Sequence, residues 1–228
     1  MSVIIGFIAD RDGVVASDGR MFDSALLEND RVINPARILS ESFDKTFALF
    51  GGRVIGTFSG LMSFAGKTIA EHAAEILGEF VTQVSDLQRV VSEFSDKMVN
   101  RLSLIGPEEV IFPCRKLDVL FVGGKNLRRS DMRIVSIRFS PDGGVILPEI
   151  ETVVADRSNG YFVRGEDNAA HAAGRTLAQN RAKNRDLHFL EKLAIQAVNA
   201  GIRASGVHPH GVDRACGGKV YSRRTWYK

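Results

Sequence analysis

A serine at position 2, an aspartate at 18, a lysine at 45 and a Ser59-Gly60 pair are the residues of this chain best suited to work together chemically. A hydroxyl on the first residue of a processed chain is a nearly self-contained nucleophile. Its own α-amine, titrating near ~7.7–8.0, can serve as the base at neutral pH. Such a centre asks for little more than a lysine and an aspartate to adjust the protons, and backbone N–H groups to stabilise an oxyanion. Ser2 takes first place once Met1 is removed, and methionine aminopeptidases accept a small second residue. The chemistry this set allows is acyl transfer, with no metal and no cofactor.

The elements that must position these residues follow from pattern. Val3 to Ala9 and Gly13 to Ser17 read as two strands joined by the Asp-Gly turn of Asp10-Arg11-Asp12-Gly13, so Asp18 stands at a strand end. Residues 19–44 are mixed and polar with Pro35 inside, which predicts a long excursion with a short helix. Thr46–Leu49 and Arg53–Ser59 form a second hairpin around Gly51-Gly52. Lys45 opens its first strand, and Ser59-Gly60 ends its second just before a helix.

Helical spacing links Phe64, Ile69, Ala73, Ile76, Leu77 and Phe80. It also links Leu87, Val90, Val91, Phe94, Met98 and Leu102 behind a cap at Ser85 or Asp86. Both stripes read as core faces. Strands return at Leu117–Val122, Met132–Phe139 and Gly144–Leu147, the last two joined by the turn Ser140-Pro141-Asp142-Gly143. Another strand falls within residues 152–163. Helices follow over Asp167–Gln179 and Asp186–Ala204, and a strand over Lys219–Tyr227 closes the chain. Strands, two helices, strands, two helices, strand: segregated blocks argue for packed layers, not for strict βαβ alternation. The expected fold is a four-layer α/β/β/α sandwich, one domain over residues 1–228.

Three separated motifs in the right order carry a resemblance across nearly the whole chain. Val3-Ile4-Ile5-Gly6 with Asp12-Gly13-Val14-Val15-Ala16-Ser17-Asp18 resembles the start of a mature proteasome β-subunit, a member of the N-terminal-nucleophile (Ntn) hydrolases. Asp18 follows Ser2 by sixteen positions, the family's nucleophile-to-aspartate spacing. Lys45-Thr46-Phe47 and Val54-Ile55-Gly56-Thr57-Phe58-Ser59-Gly60 resemble the lysine strand and the oxyanion turn. Asp213-Arg214-Ala215-Cys216-Gly217-Gly218 resembles the Asp-x-x-Ser-Gly-Gly turn after the last long helix.

The resemblance implies Ser2 as nucleophile, Lys45 as the group that polarises it or shares its proton, Asp18 as the holder of Lys45, and the Gly60 N–H in the oxyanion hole. It implies support for the N-terminal residue from Asp213 and Cys216. It also implies peptide or protein substrates and self-assembly into rings with internal sites, a homo-oligomer of about six or more copies. An unfoldase partner is not specified. The helical stripe Phe64, Ile69, Ile76 and Phe80 needs cover, by the sheet beneath and by a neighbour. The departures are a Ser nucleophile in place of Thr, Cys216 in place of Ser, a longer segment before Lys45, and Phe22 in place of a groove Thr. In addition, Gly165-Glu166-Asp167 stands where the family has Gly-Ser-Gly. These departures open an alternative, a catalytically silent ring subunit of the same fold.

Other readings fare worse. Gly60-Leu61-Met62-Ser63-Phe64-Ala65-Gly66-Lys67-Thr68 echoes a phosphate loop, but five residues separate its glycines where four are required. His208-Pro209-His210 lacks a second ligand pair and reads as a surface turn. Cys216 has no histidine partner with a recognisable local signature near it and reads as a small buried residue. A net charge of +3 and the short clusters Arg128-Arg129 and Arg223-Arg224 argue against a nucleic-acid surface. Two cysteines, Cys114 and Cys216, make no disulfide framework, and the apolar N-terminus has no basic flank. The expectation is a cytoplasmic chain without a membrane segment.

Overall fold

The computed structural model describes residues 2–9, 12–22, 26–28, 31–78, 86–104, 116–125, 129–139, 145–153, 160–180, 187–209 and 211–225. Within them the chain is a mixed α+β structure of four helices and several antiparallel sheets.

Strand β1 (Val3–Ala9) is apolar on both faces because both faces are buried. Val3, Ile5 and Phe7 point into a cluster shared with the C-terminal helices. Ile4 and Ile8 point into a second cluster between the sheets. Each such side chain contributes roughly 1.5–3 kcal/mol of burial. Strand β2 (Asp12–Asp18) pairs with β1 in the register Ile4↔Ser17. The excursion that follows holds no helix among its described residues. Instead β3 (Met21–Phe22) pairs with β6 (Ile38–Ser40), and β4 (Leu26–Glu28) pairs with β5 (Arg31–Asn34). Pro35 sits between β5 and β6, where it interrupts no ladder.

Strands β7 (Thr46–Leu49) and β8 (Val54–Gly60) form the expected second hairpin. Beyond β8 comes a small hairpin rather than a helix: β9 (Ser63–Phe64) pairs with β10 (Lys67–Thr68) across Ala65 and Gly66, both at positive φ. Phe64 is therefore a strand residue. Helix α1 (Ile69–Gly78) starts only at Ile69, where Thr68 and Glu71 cap it reciprocally: Glu71 N–H donates to Thr68 Oγ1 at 3.2 Å and Thr68 N–H to Glu71 Oε2 at 2.7 Å. Asp86 caps α2 (Leu87–Ser103) through Gln88 N–H; Ser85 and Phe80 lie outside the described residues. Phe64, Ile69 and Ile76 are buried inside the chain itself, so that stripe is not an open face awaiting a neighbour.

Strands β11 (Lys116–Lys125), β12 (Arg129–Phe139) and β13 (Val145–Val153) are longer than their sequence pattern suggested. The turn at Ser140-Pro141-Asp142-Gly143 lies outside the described residues. The strand expected over 152–163 divides: β13 runs to Val153 and β14 is Gly160–Gly165. Helices α3 (Asp167–Gln179) and α4 (Leu187–Ala204) follow, then β15 (Val220–Arg224). Asp186 and Tyr227 are outside the description. The five-stranded sheet runs β13-β12-β11-β8-β7 and the four-stranded sheet β14-β1-β2-β15.

One core joins α1 and α2 to the five-stranded sheet through Phe58, Phe94, Phe121 and Leu77. Another joins α3 and α4 to the four-stranded sheet through Phe7, Leu190 and Val198. The third, with Ile4, Val15, Ile55 and Leu120, fills the space between the sheets. The start of β1, the ends of β2, β8 and β14 and the start of β7 all meet at one end of this arrangement. No helix among the described residues is long and apolar enough to cross a membrane.

Candidate active site

Three side chains separated by up to 43 positions converge at that end. Lys45 Nζ donates to Ser2 Oγ at 2.8 Å and to Asp18 Oδ1 at 3.1 Å. Its third proton goes to the Arg20 carbonyl at 2.6 Å, so an ammonium at Lys45 has all three donors engaged. Ser2, Asp18 and Lys45 are at most 1% exposed.

Each is held by the element that carries it. Asp18 ends β2 and accepts from Val3 N–H at 3.0 Å, which ties it to the strand that begins just after Ser2. Its second oxygen accepts from Gly217 N–H at 3.0 Å, which ties in the C-terminal turn. Phe58 N–H donates to the Lys45 carbonyl at 3.2 Å, so β8 delivers Ser59 and Gly60 beside Lys45.

Gly60 has φ +92°, and a Cβ there would come 1.9 Å from the Lys116 carbonyl oxygen. Only glycine allows β8 to turn away at this point, where the Leu61 N–H donates to that same carbonyl. Gly165 is equally constrained: φ is +151°, and a Cβ would meet the Ser2 carbonyl oxygen at 2.1 Å. Glu166 N–H donates to the Ser2 carbonyl at 3.2 Å, while the Glu166 carboxylate caps α3 at Ala169 N–H, 2.8 Å away. Gly165 and Glu166 thus clamp the backbone of Ser2, a role their lack of a hydroxyl did not suggest.

Cys216 is fully buried beside the site, its N–H bonded to Ser205 Oγ at 2.9 Å. Burial first, and the neighbouring Asp18 charge second, push its thiol up to about 12, so no useful thiolate forms at neutral pH. Cys114 lies outside the described residues. The Asp213 side chain makes no hydrogen bond to Ser2, Asp18 or Lys45 among the described residues; its carbonyl accepts from His208 N–H at 2.7 Å and shapes the turn. His208 is buried rather than at the surface, because Phe22 covers it with ring centroids 4.4 Å apart; His210 is outside the description. Among the described residues no group of three His, Cys, Asp or Glu side chains is placed to hold a metal.

Arg20 and Gly217 contribute a backbone carbonyl and a backbone N–H, which side-chain types do not reveal. The Arg20 guanidinium adds a clasp: it pairs with Glu41 at 2.6 Å and donates to the Arg214 carbonyl at 2.8 Å. The excursion and the C-terminal turn are thereby locked together around the site.

Two solved structures set this geometry in context. The chain aligns with Thiobacillus denitrificans BPH in complex with epoxomicin at 13% identity and a TM-score of 0.55, covering 98% of this chain and 97% of that one. It aligns with Anbu (ancestral beta-subunit) from Yersinia bercovieri at 15% identity and a TM-score of 0.54, covering 98% and 81%. No protein-family model matches the sequence, and no curated protein does. The fold is proteasome β-subunit-like.

Proposed function

We propose that this chain is an Ntn-type peptidase or amidohydrolase whose nucleophile is Ser2 after removal of Met1. The observation that carries the reading is the buried Lys45 Nζ bonded at once to Ser2 Oγ and Asp18. Ser2 Oγ attacks the peptide carbonyl, and its proton passes to the freed α-amine of Ser2. That proton then goes to the departing amine as the C–N bond breaks, leaving an acyl-ester on Ser2. Water attacks the ester, the C–Oγ bond breaks, and the proton taken from water returns to Oγ.

Lys45 stabilises the alkoxide in both halves, Asp18 holds Lys45, and the Gly60 N–H faces the oxyanion. Asp213 and Cys216 shape the turn beside the N-terminal residue. No cofactor enters any step. We read the layers as the four-layer α/β/β/α sandwich of a single domain over residues 1–228, acting in the cytoplasm. Its assembly is a ring of about six or more copies with sites facing inward.

A second reading, a silent ring subunit, is favoured by two observations: the Glu166 carboxylate is committed to capping α3, and Asp213 does not reach the triad. One experiment separates them. Intact mass and N-terminal sequencing should give a chain starting at Ser2, and epoxomicin should add to it irreversibly while Ser2→Ala stays unmodified. A chain that uniformly keeps Met1 and hydrolyses peptides at full rate would overturn the mechanism. A chain that keeps Met1 and does nothing would establish the silent subunit. Light scattering after size exclusion reads the ring separately.

A further inference from the structure

Directly beneath the triad the space between the sheets changes character. Along β1, Ile4 and Ile8 line the inter-sheet core, and along β2 so does Val15. Two residues on from Val15, on the same face, stands Ser17, laterally paired with Ile4. On the opposite sheet Ile55 and Leu120 line the same core. Thr57 is two residues on from Ile55 and laterally paired with Leu120. β2 packs across β8, so two short hydroxyl side chains replace the apolar ones in the rows toward the Ser2 end.

Both residues are 0% exposed, yet neither Ser17 Oγ nor Thr57 Oγ1 has a hydrogen-bond partner among the described residues. A buried hydroxyl is rarely left so, because it loses its bonds to water and gains none. Chemistry also argues against chance. At two core positions flanked by Ile and Leu, Ala and Val would fill the same space without a desolvation cost.

The ordinary spacing of packed sheets leaves room for a single water. Packed sheets stand roughly 10 Å apart, and two short hydroxyl side chains span only about half of that. The remainder is about what two O–H···O bonds through one oxygen cover. Such a water needs two to four polar partners. By the alternation of β1, Ser2 lies on the same face as Ile4 and hence as Ser17, one row further out. Among the described residues Ser2 Oγ receives one hydrogen bond, from Lys45, which leaves a second lone pair.

We propose that Ser17 and Thr57 are positioning residues whose hydroxyls hold a buried water, and that this water donates to Ser2 Oγ and stabilises it as the alkoxide during acyl transfer. The role in acyl transfer rests on the nucleophile assignment above; the water site itself does not. A donor aimed at a developing alkoxide from a site closed to solvent is worth more than the same bond in water. The same alkoxide is attacking group in acylation and leaving group in deacylation, so the water acts on both halves.

The test compares Thr57→Val with Thr57→Ser, and adds Ser17→Ala. Valine matches threonine in shape and lacks the hydroxyl; serine keeps the hydroxyl and loses the methyl. The expected result is a lower Tm for Thr57→Val than for Thr57→Ser. A high-resolution crystal structure of the wild type should place one water within hydrogen-bond distance of Ser17 Oγ, Thr57 Oγ1 and Ser2 Oγ. With a peptide substrate, Thr57→Val and Ser17→Ala should lower kcat about tenfold with KM unchanged, and Thr57→Ser should restore most of it. A Tm for Thr57→Val at or above wild type, or the two hydroxyls bonded to each other with no water between, overturns the site. Unchanged kcat in both hydroxyl deletions overturns its catalytic role. A wild-type chain with no Ser2-dependent turnover overturns the nucleophile reading and the catalytic role with it, while Tm and electron density still decide the water.

Discussion

Two charged clusters in this molecule are built from similar parts and behave oppositely. At the Ser2 end, Lys45 and Asp18 form an ion pair with both side chains 0% exposed. On the far side of the five-stranded sheet, His72 on α1 meets Arg101 on α2, which reaches Glu75, which meets Lys67. There the Lys67, Glu75 and Arg101 side chains are between 34% and 47% exposed, and only His72 is buried. The inner cluster spends backbone groups on its charges: Val3 N–H, Gly217 N–H and the Arg20 carbonyl all converge there. The outer cluster relies on water for the rest. Burial therefore decides the role. A dry ion pair held at fixed distance from a hydroxyl can do chemistry, whereas a wet one staples two helices and a hairpin.

The largest effect should come from breaking the inner pair. Lys45→Ala leaves Asp18 charged and buried, a state that typically costs about 3–5 kcal/mol. The expected outcome is a fall in denaturant midpoint together with loss of Ser2-dependent turnover. Pairing Lys45→Met with Asp18→Asn should recover much of the stability and none of the activity. A Lys45→Ala chain as stable as wild type would mean that the inner cluster is no drier than the outer one.

The next effect sharpens how dry the inner end is. With the Cys216 thiol pushed up to about 12, about 10⁻⁴ of it is ionised at pH 8, so iodoacetamide should leave the Cys216 peptide unmodified until denaturant is added. Mass spectrometry of that peptide reads the result directly. The same shift predicts a stability trend. Above pH 9 the unfolded chain loses this proton while the folded chain keeps it, so stability falls as pH rises.

The contrast between the clusters bears on what the sequence allowed. That Ser2, Asp18 and Lys45 meet is legible because side-chain type, order and spacing all bear on them, and strands β1 and β2 are legible because continuous apolar runs are hard to place elsewhere. The segment from 19 to 44 is not. Strands of two to four residues with mixed polarity carry no period, and among the described residues they stand where the pattern predicts a short helix. Phe64 fell at a spacing that α1 could have used, and only the positive φ of Ala65 and Gly66 shows the hairpin that removes it. Arg20 acts through a carbonyl, which every residue has, so no side-chain pattern points to it, and Gly217 is legible only as a position in the Asp213–Gly218 turn, not as an N–H donor. Asp213 belongs to the C-terminal motif, yet its side chain makes no bond to the triad among the described residues.

The smallest effects belong to the outer cluster, and there pH separates its members. His72 stacks on Phe64, and its Nε2 lies 3.1 Å from the Phe64 carbonyl oxygen, to which Nε2–H donates. Nδ1, 3.0 Å from Arg101 Nη1, then accepts. The ring is a neutral tautomer fixed from both sides. Burial chiefly, with Arg101 and Lys67 adding to it, lowers its pKa from the ordinary 6.5, against the hydrogen bond to the Phe64 carbonyl and the pull of Glu75. Below 6.5 the unfolded chain therefore takes up a proton that the folded chain still refuses. This contribution is complete above about pH 6.5 and is lost as pH falls beneath it. Glu71 and Glu75 are held below the ordinary 4.5, Glu71 by its hydrogen bonds to Thr68 and Glu75 by those from Lys67 and Arg101, so their contributions are lost only at more acid pH. Melting curves at pH 7.5 and 5.5 should thus show a larger drop in Tm for wild type than for His72→Gln, and an equal drop would mean that the ring is solvated. Glu75→Gln, by contrast, should shift Tm only slightly at pH 7.5. That shift should shrink further in 0.5 M salt, because exposed pairs are screened where the buried Lys45–Asp18 pair is not.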